Sequence, residues 1–419
     1  MNIQTVHRSP AEAALIRQFD AGRAGPERAA AFARFAQRGL PTRRIESWHY
    51  TDLRAAMREA APPVGAPSAA RMETARAQLA ALARVGAVRL VLVDGYFAEG
   101  LSDRPPPGVT IGDARPAPSA DDAMVALNEA MTERALGLSV ADGAAVEGAI
   151  EVVHLAGGEA GSRYSRLAVA LGKGAQASLV ERFVGARAAS QRNALASFAL
   201  ADDALLRHVA LIEDEAGLHV ESQIARLGAN AELKAFGLVA GGALTRRQIF
   251  VEARGADARI ALSGLTLIDG ARRADTTLQV THGATGGTSR EFYRAIVDDD
   301  GVGTFQGKII VEQAAQKTDG AMKSQAVLLS PQAQMNAKPE LEIFADDVLC
   351  GHGATVAALD PEQLFYLRAR GIAKAEAEAM LLEGFGSEAI DRIEDAALAE
   401  AARLRFRQWL ASGPTGKSA

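Results

Sequence analysis

The cysteine of this chain lies two residues before a histidine, in the run Val348-Leu-Cys350-Gly-His352-Gly-Ala354. In an extended strand, residues two apart point to the same side, so the sulfur and the imidazole would project together. Thiolate and imidazole are a pair suited to soft or borderline metals such as iron and zinc. Two ligands do not complete a tetrahedral site, so further ligands would come from elsewhere, including from another chain.

The same run has a second interpretation, because a single cysteine is often a small buried hydrophobic residue. Val348 and Ala354 share the parity of Cys350 and His352, and such a row equally fits a strand face that packs on a core. Spacing alone therefore leaves two alternatives, a metal site and a core-facing strand.

His282 repeats the local pattern of His352, since each histidine is followed by Gly-Ala-Thr. A histidine at this place could be an interface ligand or a turn residue with its hydrogen bonds satisfied. The pattern leaves both possibilities open.

The chain lacks the short motifs of common enzymes: there is no Walker A loop, no Gly-x-Ser-x-Gly elbow and no His-Glu-x-x-His. The glycines at 283, 286 and 287 have no strand–helix context for binding a nucleotide, so we interpret them as a turn. We therefore predict that the chain is not an enzyme, and that any ATP chemistry belongs to a partner.

An internal repeat indicates how these residues are positioned. Similar small turns that lead into strands begin 27 residues apart, at Gly174, Ala201, Gly228 and Gly255. Periods of 20–50 residues indicate stacked architectures. Strand-like alternation places Phe305, Gly307, Ile309 and Val311 on one face. The repeat thus predicts coils of two or three strands stacked as a mainly β, right-handed parallel β-helix.

The two ends of the chain have helical patterns instead. Helices are predicted within residues 10–37 and 69–85, and after Asp360 the strand pattern stops and helices follow. We predict three regions: an N-terminal mixed helical region at 1–136, the β-helix core at 137–358, and a C-terminal helical domain at 359–419.

Composition excludes several classes of function. The net charge is −5, and the basic residues form no long block, so neither a nucleic-acid surface nor a membrane surface is indicated. There is no apolar run long enough to span a membrane, and the N-terminal residues lack the pattern of a signal peptide. A single cysteine suits a reducing compartment, and we expect a cytoplasmic protein.

Several motifs, spread over nearly the whole chain, resemble the SufB/SufD family of iron–sulfur cluster assembly proteins. They are Glu46-Ser-Trp-His-Tyr-Thr51, Ala126-Leu-Asn-Glu-Ala130, Pro339-Glu-Leu-Glu-Ile343, Asp346-Asp-Val348, His352-Gly-Ala-Thr355 and Phe365-Tyr-Leu-Arg-Ala-Arg-Gly371. The B-type members are longer and carry extra cysteines, so this chain resembles the D-type member. The resemblance also implies a β-helix, in agreement with the repeat.

The resemblance implies a non-catalytic scaffold subunit that pairs with a SufB-like subunit and a SufC-like ABC ATPase, with a homodimer possible when the chain is alone. It places His352, and less surely Cys350, at the subunit interface as ligands of transient iron or a nascent cluster, with no tightly bound cofactor. It also assigns ATPase docking to the C-terminal helices, where Ala379, Leu382 and Phe385 belong to an apolar stripe. A helical cap on the open end of the β-helix is the alternative explanation of that stripe.

Two other classes of protein share the predicted fold. A secreted polysaccharide lyase would need a basic residue beside clustered acids, and usually a signal peptide. A structural adhesin would show longer and more uniform repeats, without long helical ends. The alternative function is therefore a structural or carbohydrate-active β-helix unrelated to cluster assembly.

Overall fold

Helices form both ends of the chain. The computed structural model describes residues 8–19, 24–112, 120–185, 190–213 and 217–412 of the 419. Its α-helices are α1 Pro10–Gln18, α2 Pro26–Arg38, α3 Leu53–Ala56, α4 Ala69–Ala81, α5 Ala123–Met131, α6 Pro361–Ala369, α7 Lys374–Ile390 and α8 Ala396–Ala411. The helices predicted within residues 10–37 and 69–85 are confirmed, while residues 20–23 of the predicted break lie outside the described part.

The centre of the chain consists of strands of regular length. They are β1 Val88–Val93, β2 Tyr96–Phe97, β3 Val109–Gly112, β4 Leu136–Val140, β5 Ala145–Leu155, β6 Ser162–Leu171, β7 Gln176–Val184, β8 Gln191–Leu200, β9 Leu205–Ile212, β10 Leu218–Leu227, β11 Glu232–Val239, β12 Leu244–Ala253, β13 Arg259–Ile268, β14 Arg273–His282, β15 Thr288–Val297, β16 Val302–Val311, β17 Asp319–Leu328, β18 Gln334–Ile343 and β19 Leu349–Ala357.

Successive strands alternate between two sheets. The ten-stranded sheet has the order β19-β17-β15-β13-β11-β9-β7-β5-β1-β2, and the nine-stranded sheet has the order β18-β16-β14-β12-β10-β8-β6-β4-β3. From β4 to β19, neighbours in each sheet are parallel. Each coil therefore contributes one strand to each sheet, and the predicted parallel β-helix is confirmed with two strands per coil.

The predicted 27-residue turn repeat is one corner of this stack. Asp203, Asn230 and Asp257 all have positive φ, at 61°, 54° and 57°. Asp and Asn tolerate this left-handed conformation, and glycine adopts it without strain, as Gly174 and Gly286 do in neighbouring coils. The backbone N–H of each of these residues donates to a carbonyl of the next coil, so the corner extends the strand ladder.

The main core lies between the two sheets. Phe305, Ile309 and Val311 are buried in it, and Gly307 faces the same side, which confirms the alternation predicted for β16. Because each coil stacks its inward apolar residues on those of the next, this core runs along the whole solenoid.

The N-terminal helices pack on the outer face of the nine-stranded sheet. Trp48 and Leu127 are buried there with Val220 of β10. The Asn128 side chain of α5 donates hydrogen bonds to the carbonyls of Ser165 and Asn193, at 3.0 and 2.8 Å. The Leu-Asn motif thus ties α5 to two neighbouring strands.

The C-terminal helices α7 and α8 cover the outer face of the ten-stranded sheet. Leu382, Phe406 and Trp409 are buried against a row of apolar strand residues that includes Phe236 and Leu265. The alternative that these helices cap the open end of the β-helix is therefore wrong, because their apolar face packs on the side of the stack. Helix α6 has no buried residue and lies outside this packing.

The predicted domain boundary at residue 137 falls one residue inside β4. Strands β1 and β3 precede that boundary and extend both sheets backwards into the region predicted as mixed helical. The predicted boundary between 358 and 359 falls between the end of β19 and the start of α6.

Candidate functional site

The C-terminal end of the solenoid is open. Strands β18 and β19 are the outermost members of their sheets, and almost every residue of β19 is exposed. Leu349 is 74% exposed and Phe344 is 63% exposed, although both are large and apolar. An edge strand with unpaired backbone groups and apolar side chains is a template for adding another strand.

Cys350 and His352 lie side by side on β19. Cys350 is in register with Gly320 of β17, and His352 is in register with Met322, whose side chain belongs to the interior core. Both residues therefore face the interior of the last coil, and the prediction that they share one side of a strand is confirmed. The predicted alternative of a core-facing row is also correct in part, because Cys350 is half-buried against the core.

The surroundings of the two residues differ. His352 is exposed, while burial raises the pKa of the Cys350 thiol, with the charges of Asp319 and Glu291 acting in the same direction. Among the described residues, no group of three or more His, Cys, Asp or Glu side chains converges as a metal site. The assignment of Cys350 and His352 as metal ligands stays a prediction, and it requires ligands from outside the described residues.

A polar wall lies behind Cys350, and sequence reasoning missed it. Ser289 and Glu291 alternate on β15 and are buried, with exposed fractions of 0% and 1%. The Ser289 hydroxyl and both carboxylate oxygens of Glu291 have no hydrogen-bond partner of normal geometry in the described structure. Burial raises the pKa of Glu291 to about 8, against smaller opposite effects from Ser289 and Arg290. Polar residues at alternate positions of a core strand were the signal for this wall.

His282 does not occupy a place equivalent to His352. It ends β14 in the nine-stranded sheet, whereas His352 lies within β19 of the ten-stranded sheet. Its side chain is fully buried, and neither ring nitrogen has a partner in the described structure. Burial lowers the pKa of His282 to about 4. The prediction of a turn residue with satisfied hydrogen bonds is therefore wrong, and an interface role stays untested.

Further buried charges in the solenoid interior are paired. The Glu181 carboxylate accepts hydrogen bonds from Nε2 of His154 at 2.9 Å and of His208 at 3.0 Å. Burial alone would raise the pKa of Glu181, but these two bonds outweigh it and lower the pKa to about 2. Arg247 similarly binds Glu221, at 2.6 Å. Because these groups are mutually satisfied and far from the open end in strand order, we interpret them as structural.

The predicted partner-binding residues lie on α7, but they differ in exposure. Leu382 is 0% exposed and packs on the sheet, while Ala379 and Phe385 are half-buried. The Arg294 guanidinium lies 4.3 Å from the centre of the Phe385 ring. Leu382 therefore fastens α7 to the sheet, and the binding of a partner by these three residues stays a prediction.

Exposed apolar side chains lie instead on the neighbouring helix α6. Phe365 is 73% exposed and Tyr366 is 56% exposed. Leu364 and Phe365 line a groove between α6 and the start of α7. Sequence reasoning did not assign these residues a partner, although an apolar helix without a buried face is a signal for one. Within the part of the chain that the structure describes, no helix is long and apolar enough to cross a membrane.

Comparisons with known proteins agree with this architecture. Residues 154–385 match the family model described as "SUF system FeS cluster assembly, SufBD core domain". The iron–sulfur cluster assembly protein SufD of Escherichia coli is 31% identical over 387 residues, which span 90% of each chain. The chloroplastic protein ABCI7 of Arabidopsis thaliana is 30% identical over 276 residues, 63% of this chain and 58% of that protein.

The matched region runs from β5 into α7, so it includes the open end of the solenoid with Cys350 and His352. The similarity to SufD continues beyond it over most of the N-terminal and C-terminal helices. This chain belongs to the SufB/SufD family of SUF-system iron–sulfur cluster assembly proteins and is SufD-like.

Proposed function

We propose that this chain is a scaffold subunit whose open solenoid end pairs with the β-helix of a SufB-like subunit. The observation that carries the proposal is that both sheets end in exposed edge strands, β18 and β19, with apolar side chains beside them. A partner with the same strand spacing would continue both ladders and bury those side chains. In isolation, the same edges would allow two copies of this chain to pair.

We propose further that Cys350 and His352 supply ligands for iron or a nascent cluster at that interface. The support is their shared inward direction at the last coil, where a partner would cover them. A thiolate and an imidazole suit iron, and a SufB-like partner would add its own cysteine. Iron in this scheme is cargo, and the chain holds no cofactor permanently.

The test of this proposal compares His352→Ala and Cys350→Ser in the complex with both partners. We expect His352→Ala to leave folding and complex formation intact, because its side chain is exposed, and to reduce the iron and sulfide content sharply. Cys350→Ser should have the smaller effect if the partner supplies the main thiolate. A lower thermal midpoint with a proportionate loss of complex would instead assign His352 a structural role.

We propose that the SufC-like ATPase docks on the C-terminal helices, with the groove between α6 and α7 as part of the surface. Phe365 and Tyr366 support this, because they are apolar or aromatic and are exposed on a helix without buried residues. Phe365→Ala should weaken binding of the ATPase in a pull-down without changing the melting curve. Equal binding by the variant and the unaltered chain would remove α6 from the proposed surface.

Within this scheme the chain has no enzymatic activity of its own. The absence of nucleotide-binding motifs from the sequence supports this. A free, half-buried thiol at Cys350 suits a reducing compartment, so we propose the cytoplasm. ATP turnover by the homogeneous chain, abolished by a substitution within it, would contradict the non-catalytic role.

A further inference from the structure

The last coils contain an unfilled space beside the Cys350 thiol. Gly320 faces the interior of β17, between Ser289 on one neighbouring strand and Cys350 on the other. A methyl group built on Gly320 would lie 3.4 Å from the Ser289 hydroxyl, 3.5 Å from the Cys350 sulfur and 3.6 Å from the Ile309 side chain. Those are ordinary van der Waals distances, so the space accepts one additional atom group without displacing any neighbour.

Other inward-facing glycines of the solenoid differ in this respect. At four of them a methyl group would come closer than 3.0 Å to a side chain that already fills the space. These filled positions are Gly237 with Arg247, Gly264 with Tyr293, Gly303 with Met335 and Gly307 with Met322. A glycine within a strand often marks a place where something else approaches closely. At Gly320 none of the described side chains takes that room.

Ser289 supplies a second and independent indication of a ligand. Its side chain is fully buried, and its hydroxyl group has no hydrogen-bond partner of normal geometry among the described residues. Buried hydroxyl groups in folded proteins are normally paired with protein or with a bound species. The hydroxyl borders the space at Gly320, across it from the Cys350 sulfur. An acceptor that occupies this space would satisfy Ser289.

We infer that Cys350 accepts a sulfane sulfur atom and holds it as a persulfide, with the outer sulfur in the space at Gly320 and against the Ser289 hydroxyl. A sulfur–sulfur bond of about 2.05 Å carries the outer atom more than halfway towards the centre of that space. This inference rests on the proposed function, in which Cys350 belongs to the assembly site. It adds the receipt of sulfur to the holding of iron.

The reaction needs a donor persulfide and no separate oxidant. The Cys350 thiolate attacks the outer sulfur of the donor R–S–SH, so that a bond forms between Cys350 and that sulfur while the donor S–S bond breaks. The donor leaves as R–S⁻ and takes up the proton that Cys350 released. The products are R–SH and Cys350–S–SH, and atoms and electrons balance.

The test uses the full chain and glutathione persulfide as the probe. The gain of one sulfur atom is measured by intact mass spectrometry, and dithiothreitol is then used to measure how fast that sulfur is removed. Gly320→Ala fills the space without a close contact and so should fold. It should speed removal roughly five- to tenfold, the size expected from one lost contact or hydrogen bond. Ser289→Ala should act in the same direction.

Gly351→Ala is the matched control, because a methyl group there, next to Cys350 in the chain, meets no atom within 4 Å. It should behave as the unaltered chain, and Cys350→Ser should gain no sulfur. Failure of the unaltered chain to gain sulfur, or removal rates unchanged in both Gly320→Ala and Ser289→Ala, would overturn the inference. Neither result bears on iron binding, which the iron content of the complex measures separately.

Discussion

Among single residues, His282 departs furthest from its sequence pattern. The shared His-Gly-Ala-Thr run suggested a place related to that of His352. Paired strand positions near this end lie about 30 residues apart, as Asp319 and Leu349 do, so a separation of 70 residues is not a whole number of coils. The two histidines therefore lie in different sheets. A local motif does not encode coil length, which depends on the corners in between.

The burial of His282 makes a prediction about stability and pH. Its pKa is about 4 in the folded chain, against an ordinary value of 6.5. Between these values the unfolded chain binds more protons, so this residue should lower stability as the pH falls from 6.5 to 4 and have no such effect above 6.5. His282→Phe keeps an apolar ring of similar size and should remove that part of the decline. Chemical denaturation at several pH values measures it.

His49→Phe is the control for that experiment, because His49 is exposed on the N-terminal segment. Its substitution should leave the pH dependence of the unfolding free energy unchanged. If His282→Phe shows the same decline as the unaltered chain, the buried, uncharged state of His282 is refuted.

Among the elements, helix α7 shows what an apolar stripe specifies and what it leaves open. Leu382 is fully buried against the ten-stranded sheet, while Met380, two residues earlier on the same helix, is 47% exposed. Leu382→Ala should therefore cost about 2–5 kcal/mol in the free energy of unfolding. Met380→Ala is the matched control and should change it by no more than about 0.5 kcal/mol. Urea titrations of both variants test the packing.

Similar losses in the two variants would mean that α7 does not lie on the sheet as described. A large loss for Leu382→Ala alone would also explain any loss of partner binding in that variant as an indirect effect. Partner binding is therefore better tested at Phe365, whose side chain contributes little to the fold because it is 73% exposed.

Strands were predictable because alternation and turn chemistry are local. The inward face of β16 and the left-handed Asp and Asn corners follow from residues within one coil. The surface covered by α7 and α8 was not predictable, because an apolar stripe does not say which distant surface it meets. Likewise, Ser289 and Glu291 come together with Cys350 only through the register of β15, β17 and β19. That register is set by coil lengths and not by any single motif.

For the whole molecule, the position of the C-terminal helices predicts what truncation does. Removal of residues 361–419 would expose the apolar outer row of the ten-stranded sheet, including Phe236 and Leu265. We expect the truncated chain to aggregate or to melt at a lower temperature. Phe365→Ala in the full-length chain is the control, because it alters α6 without uncovering that row. A truncated chain that stays monomeric and melts as the full-length chain does would contradict the packing role.

The central claim for the molecule is that the open end of the solenoid holds iron at a shared interface. X-ray absorption at the iron edge, on the complex with its SufB-like and SufC-like partners, measures the ligand atoms directly. The account predicts nitrogen scattering from an imidazole that disappears in His352→Ala and persists in His282→Phe, with the complex still assembled. An iron spectrum that is the same in His352→Ala and in the unaltered complex would contradict it.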